Sequence, residues 1–326
     1  MIPASLRFSA RAGLLLCALL ATPCCSSEDD GGSPATSGGT PSRGGSSTAG
    51  APGGAGSEPG STGGAGDAGA SANDGSAGAP EEGSAGAGDD GAPWRPAPGT
   101  SWQWQLTGTI DTSVEVQMFD IDLFDAPQAT IDELRDAGRT VICYFSAGSS
   151  EDWRPDFSAF EEADKGAPLD DWPGELWIDV RSINVRELMT ARLDLAVEKH
   201  CDGVEPDNVD GYANDNGLGL TEQDQLDYLH FLASEAHGRG LSIGLKNSLD
   251  LIDALVGEFD WALDEECFLY DECALLAPFI EQDKAVFHVE YGDESLLDSV
   301  CGDPSTEGFS TLIKNLDLDA WRAPCP

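Results

Sequence analysis

Residues 201–212 read CDGVEPDNVDGY and crowd Glu205, Asp207 and Asp210 into a stretch that opens like an apolar strand. Carboxylates at this density suit a solvated acidic loop, a hard-cation site or the working end of a buried strand. The wider pattern favours the third. Asp120 and Asp122 close the apolar run 114–119, Tyr144 and Ser146 close 140–145, and Asp179 and Arg181 close 176–178. Further on, Glu205, Asp207 and Asn208 follow one run, Lys246 and Asn247 the next, then Asp264, Glu265 and Glu266, and finally Glu290 and Tyr291. One polar strand end means little; seven describe a cup.

A cup of carboxylates serves two reaction classes. Glycoside hydrolysis needs one protonated carboxyl to give its proton to the leaving oxygen and one ionised carboxylate to attack or to activate water. Metal-assisted hydrolysis needs histidine and carboxylate ligands in fixed geometry. The histidines are His200, ahead of a strand, His230 and His237 in a helical stretch, and His288 inside a strand. No HExxH or CxxC spacing accompanies them. Asp120, Asp122 and Asp125 could gather a calcium ion, but their spacing is not that of an EF-hand loop. Neither a metal nor a cofactor is therefore expected. Lys246 is the natural counter-charge for a carboxylate that must stay ionised, and Trp102, Trp153, Trp172, Trp177 and Tyr212 are candidate flat surfaces for sugar rings.

The elements that would carry these residues alternate. Apolar runs at 114–119, 140–145, 176–179, 203–205, 241–245, 259–263, 285–289 and 310–313 predict eight strands. Helical periodicity falls between several of them, over 129–137, 185–199, 221–239 and 248–256, with Gly138 and Gly240 placed as helix stops. Strand–helix alternation predicts a parallel sheet, and eight repeats predict a closed (β/α)8 TIM barrel, whose active site gathers at the C-terminal strand ends. An open doubly wound sheet fits less well, since no GxGxxG follows an early strand.

The N-terminal third reads differently. Arg7 and Arg11, an apolar run over 12–21 and the exit Thr22-Pro23-Cys24-Cys25 predict an export signal over 1–25. The cysteine pair suggests a bacterial lipoprotein, so a membrane contact is expected only through an N-terminal lipid anchor. Residues 26–92 are Gly, Ala and Ser with scattered acids, a composition that buries too little apolar surface to fold and predicts a flexible linker. The barrel is then expected over 93–326, as a monomer at the cell surface or outside the cell.

Residues 94–326 hold 49 acidic against 14 basic side chains, a formal charge of −35. That sign argues against nucleic acid as a partner. It suits a polycationic substrate, though solubility alone would explain it equally well. The six cysteines of this region suit an oxidising compartment. Cys267 and Cys273, close in sequence around a loop, are the best pair, and Cys301 with Cys325 would tie down the C-terminus. Cys143 and Cys201 lie in apolar segments and either pair or stay as buried thiols.

From about Trp102 to Tyr291 the chain resembles glycoside hydrolase family 114, the endo-α-1,4-polygalactosaminidases. The stretches that carry the resemblance are WQWQLTG, FDIDLFD, VICYFSAGSSEDWR, WPGELWIDVR, CDGVEPDNVDGY, GLKN, EECFLYDEC and EY, in that order. Glu205 stands where the family pattern leads one to expect Asp. The resemblance implies a barrel that cuts galactosamine-containing α-linked polysaccharide with retention, Asp207 as nucleophile and Glu265 as acid/base. Asp264, Glu266 and Glu290 are expected to keep Glu265 protonated by like-charge repulsion. Asp120, Asp122, Tyr144, Asp179, Glu205, Asn208, Lys246, Asn247, Glu290 and Tyr291 are expected to bind substrate. A sugar-binding barrel without catalysis, or a hydrolase of another α-linked glycan, is the alternative.

Overall fold

The computed structural model of the chain describes residues 92–326. The expected export segment and all but the last residue of the expected linker lie outside the described residues. Twelve strands occur among the described residues: β1 Trp102–Gln105, β2 Met118–Asp122, β3 Thr140–Ser146, β4 Ser149–Glu151, β5 Lys165–Pro168, β6 Glu175–Ile178, β7 Gly203–Asp207, β8 Ser242–Lys246, β9 Trp261–Glu265, β10 Val286–Tyr291, β11 Ser310–Lys314 and β12 Ala323–Pro324. Eight of them, β1, β2, β3, β7, β8, β9, β10 and β11, pair in parallel in that order.

The C-terminal segment seals the seam between β11 and β1. β12 pairs antiparallel with β11, and the amides of Leu106 and Thr107 donate to the carbonyl of Leu318. Across the same seam the Trp102 indole donates to the Ser310 carbonyl at 2.8 Å, and the Gln103 amide to Ala320 at 2.9 Å. The sheet curls into a (β/α)8 barrel, as the alternation predicts.

Side-chain alternation along each strand sorts residues into two layers. Trp102, Trp104, Met118, Ile142, Trp261, Leu263, Phe287, Val289 and Leu312 fill the inside. Phe119, Ile121, Val141, Cys143, Val204, Ile243, Leu245 and Ala262 face outward into the layer under the helices. Glycine makes room where the inside is crowded: a Cβ on Gly244 would stand 2.2 Å from the Trp261 ring.

The outer layer is uneven. α1 (Gln128–Asp136), α2 (Ile183–Glu198) and α3 (Glu222–Gly238) are full helices, whereas α4 (Ile252–Leu255), α5 (Ala277–Glu281) and α6 (Leu297–Val300) are short. Ser182 caps α2, and Thr221 with Asp224 forms a reciprocal capping box on α3. Gly138 and Gly240, at φ +75° and +76°, end α1 and α3 as expected. The helix expected over 248–256 shrinks to α4 because Ser248 is left-handed at φ +51° and a tighter turn over 249–251 precedes it.

The strand count of eight is right, but its membership is not. The run at 176–178 belongs to β6, which pairs antiparallel with β4 and β5 in a separate three-stranded sheet inserted between β3 and β7. The first barrel strand is WQWQ, β1. Both segments are short and extended, and only their hydrogen-bond partners decide which joins the barrel. Among the described residues three disulfides join Cys143 to Cys201, Cys267 to Cys273 and Cys301 to Cys325. The first settles the open choice for Cys143 and Cys201 in favour of pairing. Among the described residues no helix is long and apolar enough to cross a membrane.

Candidate active site

The inner face of the barrel turns polar at its C-terminal end. Tyr144 on β3, Glu205 and Asp207 on β7, Lys246 on β8, Glu265 on β9 and Tyr291 on β10 all follow inward-facing positions by steps of two, so the pleat aims them at one point. Lys246 is that point. Its Nζ lies 2.6 Å from Glu205 Oε1, 3.3 Å from Asp207 Oδ1 and 3.4 Å from Glu265 Oε2, and 4.6 Å from the centre of the Trp104 ring. Burial by itself would pull its pKa down, but Asp207, Glu205 and Glu265 together push it above the ordinary lysine value. The ammonium is therefore the favoured form.

Asp207 and Glu265 are the partly open members, with side chains 18% and 17% exposed, against 0% for Glu205 and 1% for Lys246. Because one ammonium touches both, the nearer oxygens of Asp207 and Glu265 are at most about 7 Å apart, the sum of the two contacts. Each carboxyl is also held from a second side. The Tyr144 hydroxyl donates to Asp207 Oδ2 at 2.9 Å, and the Tyr144 pKa is raised well above normal by burial and then by Asp207. The Tyr291 hydroxyl donates to Glu265 Oε1. Asn247 clamps Glu265 twice, its Oδ1 accepting from the Glu265 amide at 3.0 Å and its Nδ2 donating to Oε2 at 3.3 Å.

The backbone beyond each of these three strands is unusual. Asn208, Asn247 and Glu266, which directly follow Asp207, Lys246 and Glu265, are left-handed at φ +59°, +47° and +65°. Asparagine tolerates this conformation and glutamate does so poorly, a strain that recurs at functional sites. The turn after β7 is braced by the amides of Ala147 and Gly148, which donate to the Asp207 carbonyl at 2.8 and 3.1 Å. Position 148 must be glycine, since a Cβ there would fall 1.6 Å from the Asn208 carbonyl oxygen.

Several residues expected to meet substrate are placed otherwise. Asp122 is 5% exposed, and Arg154 binds its two oxygens at 2.6 and 3.0 Å while the amides of Phe124 and Asp125 also donate to it. Asp179 follows β6 rather than a barrel strand, and its carboxylate is gripped by Arg181 at 2.8 and 3.0 Å. Glu290 faces outward from β10, where it accepts from the amides of Phe268 and Leu269 and bonds His288 Nε2 at 2.9 Å. It anchors the loop after β9 from behind the sheet.

Asp264 also faces outward and is 2% exposed; burial, then Glu265, Glu272 and Glu290, raise its pKa well above normal. Asp264 and Glu290, both expected beside Glu265 in the cup, thus reach it only from behind the sheet. The Asn208 amide donates to Ser146 Oγ at 3.0 Å, and Asp120 and Glu205 are sealed below the cup at 0% exposure. Of the aromatic candidates, Trp102 and Trp177 are buried, Tyr212 is half-buried, and Trp153 and Trp172 are about half exposed.

Trp104 and Asp210, neither of them among the expected site residues, also belong to this cluster. Trp104 donates its indole N–H to Glu205 Oε2 at 3.1 Å. Asp210, half-buried, has its pKa raised by burial first and then by the charges of Asp207 and Glu265. An open cavity of about 490 Å3 follows directly on Tyr291, lined by Gly292, Asp293, Glu294, Asn315 and Trp321. As for a metal, the sulfurs of Cys267 and Cys273 and a His288 nitrogen lie within 4.8 Å of one another, but the disulfide leaves no thiolate to coordinate.

A (β/α)8 barrel with an accessible Asp and Glu bridged by a buried lysine at its C-terminal mouth is the architecture of a glycoside hydrolase. The chain belongs to glycoside hydrolase family GH114, whose model matches residues 83–326. It is similar to Ega3 of Aspergillus fumigatus, solved in complex with galactosamine, at 48% identity over 72% of this chain and 98% of that one, with a TM-score of 0.70. The fold is shared with the glycoside hydrolase domain of PelA from Pseudomonas aeruginosa, at 13% identity, 70% and 98% coverage and a TM-score of 0.55. Comparison with curated proteins finds no match.

Proposed function

We propose that the enzyme is a retaining endo-glycosidase acting on α-1,4-linked galactosamine-containing polysaccharide, with Asp207 as nucleophile and Glu265 as acid/base. The observation that carries this reading is the single ammonium of Lys246 held 3.3 and 3.4 Å from the two open carboxyls. The limit it sets, about 7 Å, includes the separation of roughly 5–5.5 Å used for direct attack and leaves little of the 6.5–9.5 Å range in which a water fits between.

In the first step an Asp207 oxygen bonds to the anomeric carbon as the glycosidic C–O bond breaks, and Glu265 gives its proton to the departing oxygen. In the second step Glu265, now a carboxylate, takes a proton from water; that water's oxygen bonds to the anomeric carbon and the Asp207 ester bond breaks. Lys246 and Tyr144 hold the attacking carboxylate ionised and aimed, and Asn247 and Tyr291 fix the proton donor. The amino-sugar substrate is favoured by the similarity to a galactosamine-binding enzyme and by the −35 formal charge of residues 94–326. Asp293 and Glu294 beside Trp321 offer carboxylates for ammonium groups and an aromatic face for a ring in the cavity next to Tyr291. The export signal read in residues 1–25 would deliver the enzyme to an extracellular or surface-anchored polymer.

The test is hydrolysis of a defined, partly deacetylated α-1,4-galactosaminogalactan, with products followed by mass spectrometry and the anomer first formed followed by NMR. Internal cleavage with an α-anomer as first product is expected. A β-anomer as first product would refute retention, and no cleavage would refute the substrate.

A further inference from the structure

Asp120 lies on β2 beneath the cup, 0% exposed, and neither of its carboxyl oxygens receives a hydrogen bond from any N–H or O–H group among the described residues. An ionised carboxylate in that position would be buried with no donor to offset its lost hydration. Its neighbour is Glu205, also 0% exposed, and the two carboxyl groups lie close enough to share a hydrogen bond if a proton stands between them. Two carboxyl groups can do this only if one carries a proton.

The partners of Glu205 say which one. Its Oε1 accepts from the Lys246 ammonium at 2.6 Å and its Oε2 from the Trp104 indole at 3.1 Å. Ammonium and indole groups are donors without acceptor capacity, so both Glu205 oxygens are engaged as acceptors. Asp120 has no donor to turn away. The proton belongs on Asp120.

We infer that Asp120 is a neutral carboxylic acid in the working enzyme, a positioning residue that donates to Glu205 and through it fixes the Lys246 ammonium between Asp207 and Glu265. This rests on the reading of Asp207 and Glu265 as the catalytic pair. The charged groups facing Asp120 agree: burial first and Glu205 next push its pKa well up, Asp207 adds to this, and Lys246 alone opposes them. On Glu205 burial acts first and raises its pKa to about 7, while Lys246 and the Asp120 bond work the other way and favour its ionised form. The sealed acid thus extends the chain Asp120–Glu205–Lys246 from the barrel core to both reacting carboxyls.

The test separates a proton from a charge at position 120. In D120N the side-chain amide donates to Glu205 as the acid did, so kcat and KM are expected to stay within about 3-fold of the wild type, a change of well under 1.4 kcal/mol. D120A, which removes the donor, is expected to lower kcat by about 100-fold with little change in KM, the scale of a catalytic group displaced by ~1 Å. Infrared spectroscopy of the unliganded protein at pH 7.5 is expected to show a carboxylic-acid C=O band that shifts in D2O, persists in D207N and E265Q, and is lost in D120N.

Loss of activity in D120N as deep as in D120A, or a wild-type spectrum lacking the Asp120 band, would overturn the assignment. Should D120A fail to fold, D120N and the spectrum still decide. If D207N and E265Q remain active while the band is present, the catalytic pair is wrong but the buried acid stands.

Discussion

Lys246→Met is the most informative single change, because one buried ammonium is asked to hold three carboxyls. Methionine keeps the length and apolar stem of the side chain and removes only the charge. At an effective dielectric near 20, a unit charge 3.3 Å from Asp207 Oδ1 is worth roughly 5 kcal/mol before desolvation is counted. Measured losses on breaking buried pairs are smaller, about 3–5 kcal/mol. For a domain of this size that predicts a melting temperature lower by roughly 6–20 °C near pH 8. The deficit must depend on pH. Without the lysine the buried carboxyls relieve their repulsion by binding protons, so the variant's folded-state carboxyls bind protons more tightly than those of the unfolded chain. Its stability is then greatest below the unfolded values near 4 and is lost as pH rises.

Melting curves of wild type and K246M from pH 5 to pH 8 are therefore expected to diverge with rising pH. On catalysis, about 3 kcal/mol less stabilisation of the ionised nucleophile lowers kcat/KM at pH 6 by more than 100-fold and moves the acidic limb of the profile to higher pH. A deficit equal at pH 5 and pH 8, or K246M with an unchanged acidic limb, would refute the view that Lys246 acts through its charge.

Other outcomes follow from the same geometry. Glu265→Gln is expected to remove most activity on polymer, by about 100-fold or more, while sparing activated substrates whose leaving group needs no proton; full polymer activity in E265Q would end its role as acid. Wild-type stability is expected to rise as pH falls from 8 to about 5, since burial raises Asp120 and Asp264 well above normal and raises Glu205 to about 7. Such groups stabilise the folded state fully below their unfolded values and lose that contribution as pH rises through the folded ones. Carboxyls with lowered values, such as Asp164 and Asp224, act only below about pH 4; a melting temperature that falls steadily from pH 8 to 5 would contradict this balance. Raising salt is expected to increase KM for deacetylated polymer several-fold through screening over roughly 10 Å at 0.1 M, and to leave KM for re-acetylated polymer unchanged. Equal slopes for the two polymers would remove attraction of a polycation from the account.

The amino-acid sequence by itself determined the class of fold and the strand ends at which polar residues gather. Both follow from local rules: apolar runs separated by helical periods, and polar residues at C-terminal strand ends. Asp207, Lys246 and Glu265 were legible because each ends an apolar run at an inward step of the pleat. The tertiary structure alone decided which strands form the ring, since WQWQ and ELWI are equally extended and differ only in their partners. It also decided the surroundings of each polar group.

In sequence Asp120, Asp122, Asp179, Glu205 and Glu290 are equivalent acids at strand ends. In space Asp122 and Asp179 are neutralised by Arg154 and Arg181, Glu290 turns behind the sheet to loop amides, and Asp120 and Glu205 sink below the lysine. Trp104, the indole partner of Glu205, carried no signal because its contact spans 101 positions of chain. Charge sign and strand position are local properties that a sequence displays. Desolvation and pairing depend on which distant groups the closed barrel brings within about 3 Å, and these set what a carboxyl can do.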